Sequence, residues 1–361
     1  MTTHDPSNPD SAPPGRQAAP ATPHLALLPG LADPELAQSL AANLALVEER
    51  LLAEATDSDA LVSGITGYLL RGGGKRLRPL VVLIAAELGG GCSQAVLDAA
   101  VVVELTHVAS LYHDDVIDAA PLRRGTPSAH IKYGNTVAIL AGDLLFAKAS
   151  AIGAALGEEC VRIQAGTFAR MCRGEIRESA GPAPGQDPIA HHLAVLRDKT
   201  ASLIGASAHL GALLADCPAP VVEAVVAFGE KAGLAFQLAD DIIDLSPDAA
   251  ITGKLPGTDL REHVPTMPAL LLQAEARADR DAGRSTSDTC RLADILEGDL
   301  SDDATLSDAV AHLAAHRVTR EARAIARRWA AAAAAELAPL PSSPAKQALT
   351  EVADQATSRL A

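Results

Sequence analysis

Apolar residues recur at helical spacing through most of the chain, and β-branched clusters flanked by hairpin turns are missing. The pattern predicts helices over Asp33–Ala55, Asp57–Leu70, Gln94–Asp118, Asn135–Ala155, Cys160–Glu178, Ile189–Ala215, Val221–Leu245 and Glu262–Arg280. One or two more are expected across Leu292–Leu337, and a last one over Pro344–Leu360. Gly72-Gly73-Gly74 ends the second of these, with Pro79 near a further helix start. Leu122–Pro127, Ser179–Pro188, Ser246–Thr258 and Asp281–Asp288 read as loops. Two of the helices stop in the same way. Asp114-Asp115-Val116-Ile117-Asp118 closes one, and Asp240-Asp241-Ile242-Ile243-Asp244 closes the other.

Composition sharpens this picture. Nearly half of the residues are apolar and aromatics are only 2%, so the helices can bury a large core of Ala, Leu and Val. The fold class expected is all-α, a single large bundle over residues 31–361. Residues 1–30 are polar and Pro-rich, with no basic start and apolar core of a signal peptide, and are expected to be a disordered tail. No uninterrupted run of about 18 apolar residues occurs, so no transmembrane helix and no stable membrane insertion are expected. The formal net charge of −15 argues against nucleic acid as a partner. Five scattered Cys without CxxC spacing read as reduced thiols in a cytoplasmic protein.

The acidic helix ends carry the chemistry. At about 100° per residue, Asp114 and Asp118 share a face and Asp115 flanks it. Carboxylates stacked in this way repel unless a cation sits between them, and a hard divalent ion takes one or two of them alongside phosphate oxygens. His107 lies two turns back on the face of Asp114, and Arg123-Arg124 follow the helix. Gln237 precedes Asp240 by three residues, on its face. Two such ends turned toward each other would hold metal ions and a diphosphate in a central cavity. Gly-rich backbone followed by Lys75, Arg76 and Arg78 is a further phosphate-holding pattern. Lys199, in an otherwise apolar segment, needs an anionic partner or a path to solvent.

Taken in order, these residues resemble the all-trans polyprenyl diphosphate synthases. The match runs through Gly73–Pro79, the first aspartate motif with Arg123-Arg124-Gly125, Gly134-Asn135 to Asp143, Gly174-Glu175, and Asp198-Lys199-Thr200-Ala201. It continues through Phe236-Gln237 with the second aspartate motif, Gly253-Lys254, Thr258-Asp259-Leu260 and Pro265–Pro268. The resemblance implies the isoprenoid synthase fold, a homodimer, and an Mg²⁺-dependent prenyltransferase. Isopentenyl diphosphate would be joined to an allylic diphosphate in successive head-to-tail 1'-4 steps, for quinone or related isoprenoid synthesis. By the same resemblance, Asp114, Asp115, Asp118, Asp240, Asp241 and Asp244 hold the metal, directly or through water. Lys75, Arg78, His107 and Arg124 bind isopentenyl diphosphate, with Arg76 peripheral. Arg123, Lys199, Thr200, Gln237 and Lys254 serve the allylic diphosphate. Asp143, by its place in an apolar helix, reads as structural or as supporting the site from behind its ligands.

Product length is a matter of volume. In the family, bulky residues one turn deeper than the first aspartate stop growth early. Ala109 and Ser110 stand there and are small, so a long chain, around heptaprenyl, is expected. The chain departs from the family at Ala119, at His130, and at Arg261-Glu262-His263-Val264, where a basic ligand is missing and His263 is the nearest substitute. The alternatives are a geranylgeranyl or other short-chain synthase, a terpene cyclase, and a non-catalytic subunit of a heteromeric synthase. The second aspartate motif and Lys75/Arg78 count against a cyclase, and the intact aspartates count against an inactive subunit.

Overall fold

The computed structural model describes residues 28–246, 256–358 and 360. Helix α1, Pro34–Glu54, starts where Asp33 caps it by accepting from Leu36 N–H. Two short helices, α2 (Ala60–Thr66) and α3 (Tyr68–Arg71), replace the single helix expected over Asp57–Leu70. Gly67 closes the first of them. Helix α4 is Leu77–Ala86 and α5 is Gln94–Ile117. Leu122–Arg123 (β1) and Thr126–Pro127 (β2) form a two-stranded antiparallel hairpin within the expected polar loop. Next come α6 (Ala129–Tyr133), α7 (Asn135–Ala155) and α8 (Glu158–Ala180).

The helix expected over Ile189–Ala215 is not regular. It comprises α9 (Pro188–Leu196), a five-residue π-helical turn at Arg197–Ala201, and α10 (Ser202–Leu214). Helix α11 is Ala219–Ile243. Helix α12 (Thr258–Arg261) is short, and α13 runs over Met267–Asp281, starting after Pro265 rather than at Glu262. Where one or two helices were expected there are three: α14 (Asp288–Leu296), α15 (Asp303–Ala315) and α16 (Arg317–Glu336). Helix α17, Pro344–Ser358, is the last.

Helix α5 is the axis of the bundle. It packs against α1, α4, α7 and α10, and is buried on every side over most of its length. Helix α11 packs against α10 on one side and α16 and α17 on the other. A smaller core, with Leu245, Leu260, Leu272, Leu292, Leu306 and Leu313, joins α12–α15 to the end of α11. Leu28 packs into the main core, so the folded body begins a little before residue 31.

The expectation that no helix could cross a membrane needs correction. Among the described residues, α5 and α7 are each long and apolar enough to do so. Glu104, Thr106 and His107 interrupt the apolar run of α5 without lowering its average below that of a spanning segment. Two thirds of the apolar stretch of α5 is buried inside the protein, as befits a core helix, whereas only a third of that of α7 is.

Candidate active site

Both aspartate motifs occupy the last turn of a long helix, and in both the final Asp is the C-cap: Asp118 on α5 and Asp244 on α11. Neither last turn contains a basic residue. A helix C-terminus already carries about half a negative charge. Three carboxylates there are unfavourable unless a cation supplies the compensation. Asp114 registers this directly. Its carboxyl is pushed up to about 7, chiefly by burial, against the pull of Lys199; Glu175 and Asp118 push the same way as burial, and Arg123 opposes them. Burial and Asp118 also raise Glu175, against Lys199. Among the described residues, no three acidic, His or Cys side chains enclose an ion by themselves. The donor set is all oxygen, which suits a hard cation that takes its remaining ligands from diphosphate and water.

The middle aspartates behave differently. Asp115 is fully buried and accepts from Arg123 Nε at 2.5 Å, which fixes the hairpin to the end of α5. Asp241 is buried and accepts at one oxygen from both His192 Nε2 (2.9 Å) and Met267 N–H (3.1 Å), tying α9 and the start of α13 to α11. Asp244 is buried too, and accepts from Asp259 N–H at 3.1 Å. Asp114, Asp118 and Asp240 were expected to hold the metal, with Asp115, Asp241 and Asp244 completing the shell directly or through water. In the structure Asp115, Asp241 and Asp244 each hold a neighbouring segment through a carboxylate oxygen, because those segments pack against the helix ends at these positions. Asp118 is exposed, and Asp114 and Asp240 are partly buried.

A cationic cluster adjoins the end of α5. Arg124 and Gly125, at φ 53° and 76°, form the two-residue turn between β1 and β2, a type I′ geometry that aims Arg123 and Arg124 back at the helix. Gly74 lies so close to the guanidiniums of Arg124 and Arg76 that a Cβ there would stand 3.0–3.2 Å from them. Arg78 has a buried Nε without a partner. Burial holds the Arg78 and Arg124 guanidiniums below their ordinary values. His107 is held well below its ordinary value, by burial and then by Arg78, Arg124, Arg123 and Arg76. It is therefore neutral and can donate to an anion without adding charge to the cluster. Lys75 is exposed at the rim. Arg76 is a buried tie: it grips Glu48 with two bonds (2.7 and 2.9 Å) and Glu104 with a third (2.8 Å). A guanidinium with an unpartnered buried Nε, beside a neutral imidazole and a second arginine, is suited to diphosphate.

The π turn presents Lys199 and Thr200. Lys199 Nζ is bonded to Glu175 Oε2 at 2.9 Å and to Glu178, both on α8. Burial alone would lower its ammonium, but Glu178 and Glu175 more than offset that, and it stays charged. Thr200 Oγ1 donates to Gln237 Oε1 at 3.4 Å, so these two expected site residues do meet. Lys254 lies outside the described residues. Asp143 is exposed and pairs with His113 at 3.4 Å. Ala109 is fully buried and Ser110 Oγ donates to the His107 carbonyl at 2.8 Å. Arg261 pairs with Asp303 at the start of α15, and its Nε is buried without a partner.

Three features escaped the sequence reading. Glu178 was not singled out, and Glu175 was noted only as part of a dipeptide. The third is an aromatic pair: Phe146 of α7 stacks on Phe168 of α8, centroids 4.2 Å apart, with His113 of α5 at 5.7 Å from Phe146. Their common face is invisible in a linear reading, because it exists only once α7 and α8 pack together.

Comparisons with known proteins agree with this architecture. The family model described as polyprenyl synthetase matches residues 59–310. The nonaprenyl diphosphate synthase of Mycobacterium tuberculosis is 42% identical over 330 residues, covering 91% of this chain and 96% of that protein. The dimethylallyltranstransferase of the same organism is 34% identical over 331 residues, covering 91% and 97%. Among solved structures, a polyprenyl synthase from Caulobacter crescentus complexed with calcium and isoprenyl diphosphate superposes with a TM-score of 0.81 at 31% identity, covering 90% of this chain and 97% of that one. A geranylgeranyl pyrophosphate synthase from Corynebacterium glutamicum, in a complex of the same kind, gives 0.78 at 39% identity, covering 91% and 98%. The paired acidic helix ends, the cationic cluster beside them and a match that spans most of the chain lead to one conclusion: this protein belongs to the polyprenyl synthetase family of prenyltransferases.

Proposed function

We propose that the protein condenses isopentenyl diphosphate with an allylic diphosphate in repeated head-to-tail 1'-4 steps and releases a long all-trans polyprenyl diphosphate, around heptaprenyl, for quinone or related isoprenoid synthesis. The observation that carries this reading is the juxtaposition of an oxygen-rich helix end, where burial raises the Asp114 carboxyl to about 7, with a cationic cluster of Arg78, Arg124 and neutral His107. Two anionic substrates need these two different surroundings side by side.

Asp114, Asp118 and Asp240 are the residues that would hold Mg²⁺. The ion would act as a Lewis acid on the leaving diphosphate. Arg123, Lys199 and Lys254 set fixed positive charge on the allylic side. Thr200 and Gln237 turn side-chain oxygens, not strong nucleophiles, toward the allylic cation. Lys75, Arg78, His107 and Arg124 hold isopentenyl diphosphate so that its alkene meets that cation. The last proton passes to the departed diphosphate.

Ala109 and Ser110 place no bulky side chain on the first turn below Asp114, which supports a long product. The relative named as a nonaprenyl synthase points the same way. A second reading, a geranylgeranyl synthase, is favoured by the Phe146–Phe168 stack, which places bulk on α7 and α8 where α5 has none. We further propose a homodimer in the cytoplasm. Helix α7 leaves Ile139 and Leu140 exposed at 42% and 59%, with Ile131 of α6 at 58% beside them, an apolar face that a second copy would cover.

The test is incubation with Mg²⁺, radiolabelled isopentenyl diphosphate and, in turn, geranyl, farnesyl and geranylgeranyl diphosphates, with the dephosphorylated products sized by chromatography. A prenol of about seven units supports the proposal. A product of four units or fewer transfers it to the short-chain reading, and a cyclic hydrocarbon or no incorporation overturns it.

A further inference from the structure

Helix α8 carries alternating charges toward the π turn, and two adjacent residues of that turn take opposite signs from it. Asp198 accepts from Arg170 Nε at 3.1 Å through one oxygen and from Arg177 Nη1 at 2.7 Å through the other. Arg170 reaches on to Glu230 of α11, Nη1 to Oε1 at 2.5 Å. Lys199, next in sequence, is gripped by Glu175 and Glu178 of the same helix. A π turn displaces the regular backbone ladder, and here side chains make up the loss. Ser202 Oγ donates to the Asp198 carbonyl at 2.7 Å. The turn also sits so tightly on α8 that a Cβ at Gly174 would come within 2.5 Å of the Lys199 nitrogen. The Asp198 side chain is 13% exposed, against 45% for Arg177, so the carboxylate is the shielded centre of this network.

We infer that Asp198 is a positioning residue: clamped by Arg170 and Arg177, it fixes the π turn so that Lys199 and Thr200 point into the allylic diphosphate site. Glu175 and Glu178 are the counter-ions that Lys199 exchanges for diphosphate oxygens when that substrate binds. The aspartate touches neither substrate. A regular α-turn here would rotate Lys199 and Thr200 by the one residue that the π turn absorbs, and part Thr200 from Gln237. The inference rests on the reading of Lys199 as a ligand of the allylic diphosphate.

Asp198→Asn keeps the shape and removes the charge. Its KM for the allylic diphosphate is expected to rise about tenfold, with the KM for isopentenyl diphosphate changed less than about twofold. Calorimetric titration of inorganic diphosphate with Mg²⁺ should show a comparable loss of affinity. Asp198→Glu should recover much of both. Arg162→Gln is the control, since its pair with Glu159 is an exposed one on the same helix and should leave every value unchanged. If Asp198→Asn unfolds, Arg177→Gln removes half of the clamp and should show the same selective rise, reduced to about threefold. Equal rises in both KM values, or an unchanged allylic KM, overturn the inference. Wild-type protein that binds diphosphate but condenses nothing with any primer removes the functional reading and this inference with it. Normal wild-type condensation with an unresponsive Asp198→Asn removes the inference alone.

Discussion

The ends of α5 and α11 carry the same five-residue motif and do different work. At the end of α5, one aspartate of three is buried, and it holds Arg123 of the following hairpin. Asp118 faces solvent there. At the end of α11, two of three are buried, and they hold backbone and histidine groups from α9, α12 and α13. The first end is a solvent-facing acidic face with an arginine paired to it. The second is a structural hub that also presents Asp240. A repeated motif thus gives repeated placement of its first aspartate, while the neighbours of the other two decide how much of the fold depends on them.

The largest effect expected is on catalysis. Asp114→Ala should reduce kcat by about 10³-fold or more, with melting temperature unchanged or raised, because a repulsive carboxylate has gone. Steady-state rates with scanning calorimetry check both. Next comes the contrast between hubs. Asp241→Ala strands His192 and Met267 N–H in the core and should cost about 2–4 kcal/mol of stability. Asp118→Ala, at the exposed equivalent end, should stay within about 0.5 kcal/mol while losing activity. Equal denaturation midpoints for the two variants would erase the distinction drawn here.

Product length comes third. Ser110→Phe should shorten the product and Phe168→Ala should lengthen it, each by at least one isoprene unit as sized by chromatography. The smallest effect concerns pH. His107 stays neutral in the folded protein, whereas in the unfolded chain it takes up a proton below about 6.5. The unfolded state then binds more protons, so this residue's contribution to stability is complete above that pH and is lost as pH falls through it. His107→Asn should flatten the fall in melting temperature between about pH 6.5 and 5, a window set by the imidazole's ordinary value.

Much of this was legible from the chain. Helical periodicity located α1, α5, α7, α8 and α11 to within a few residues, because apolar stripes are what bundle packing requires. The aspartate motifs, Arg78, His107, Arg124, Thr200 and Gln237 were singled out from the chain, and the structure sets Thr200 beside Gln237 and His107 beside Arg78 and Arg124. What stayed hidden depends on three-dimensional neighbours. A two-residue strand has no period, so the hairpin that orients Arg123 and Arg124 read as loop. One inserted residue in a continuous apolar helix leaves the pattern intact, so the π turn under Lys199 was missed. Which aspartates face inward depends on what packs against α5 and α11. Phe146 and Phe168 meet only across two helices.

Under the proposed function, Asp114 and Asp240, on two different helices, would form one diphosphate-binding site through a shared cation. Titrating inorganic diphosphate into the wild type, Asp114→Asn and Asp240→Asn, each with and without Mg²⁺, tests it most directly. Binding that requires Mg²⁺ and is lost in either variant, with both still folded by circular dichroism, is the predicted result. Binding of equal affinity without the metal, or undiminished in either variant, would contradict it.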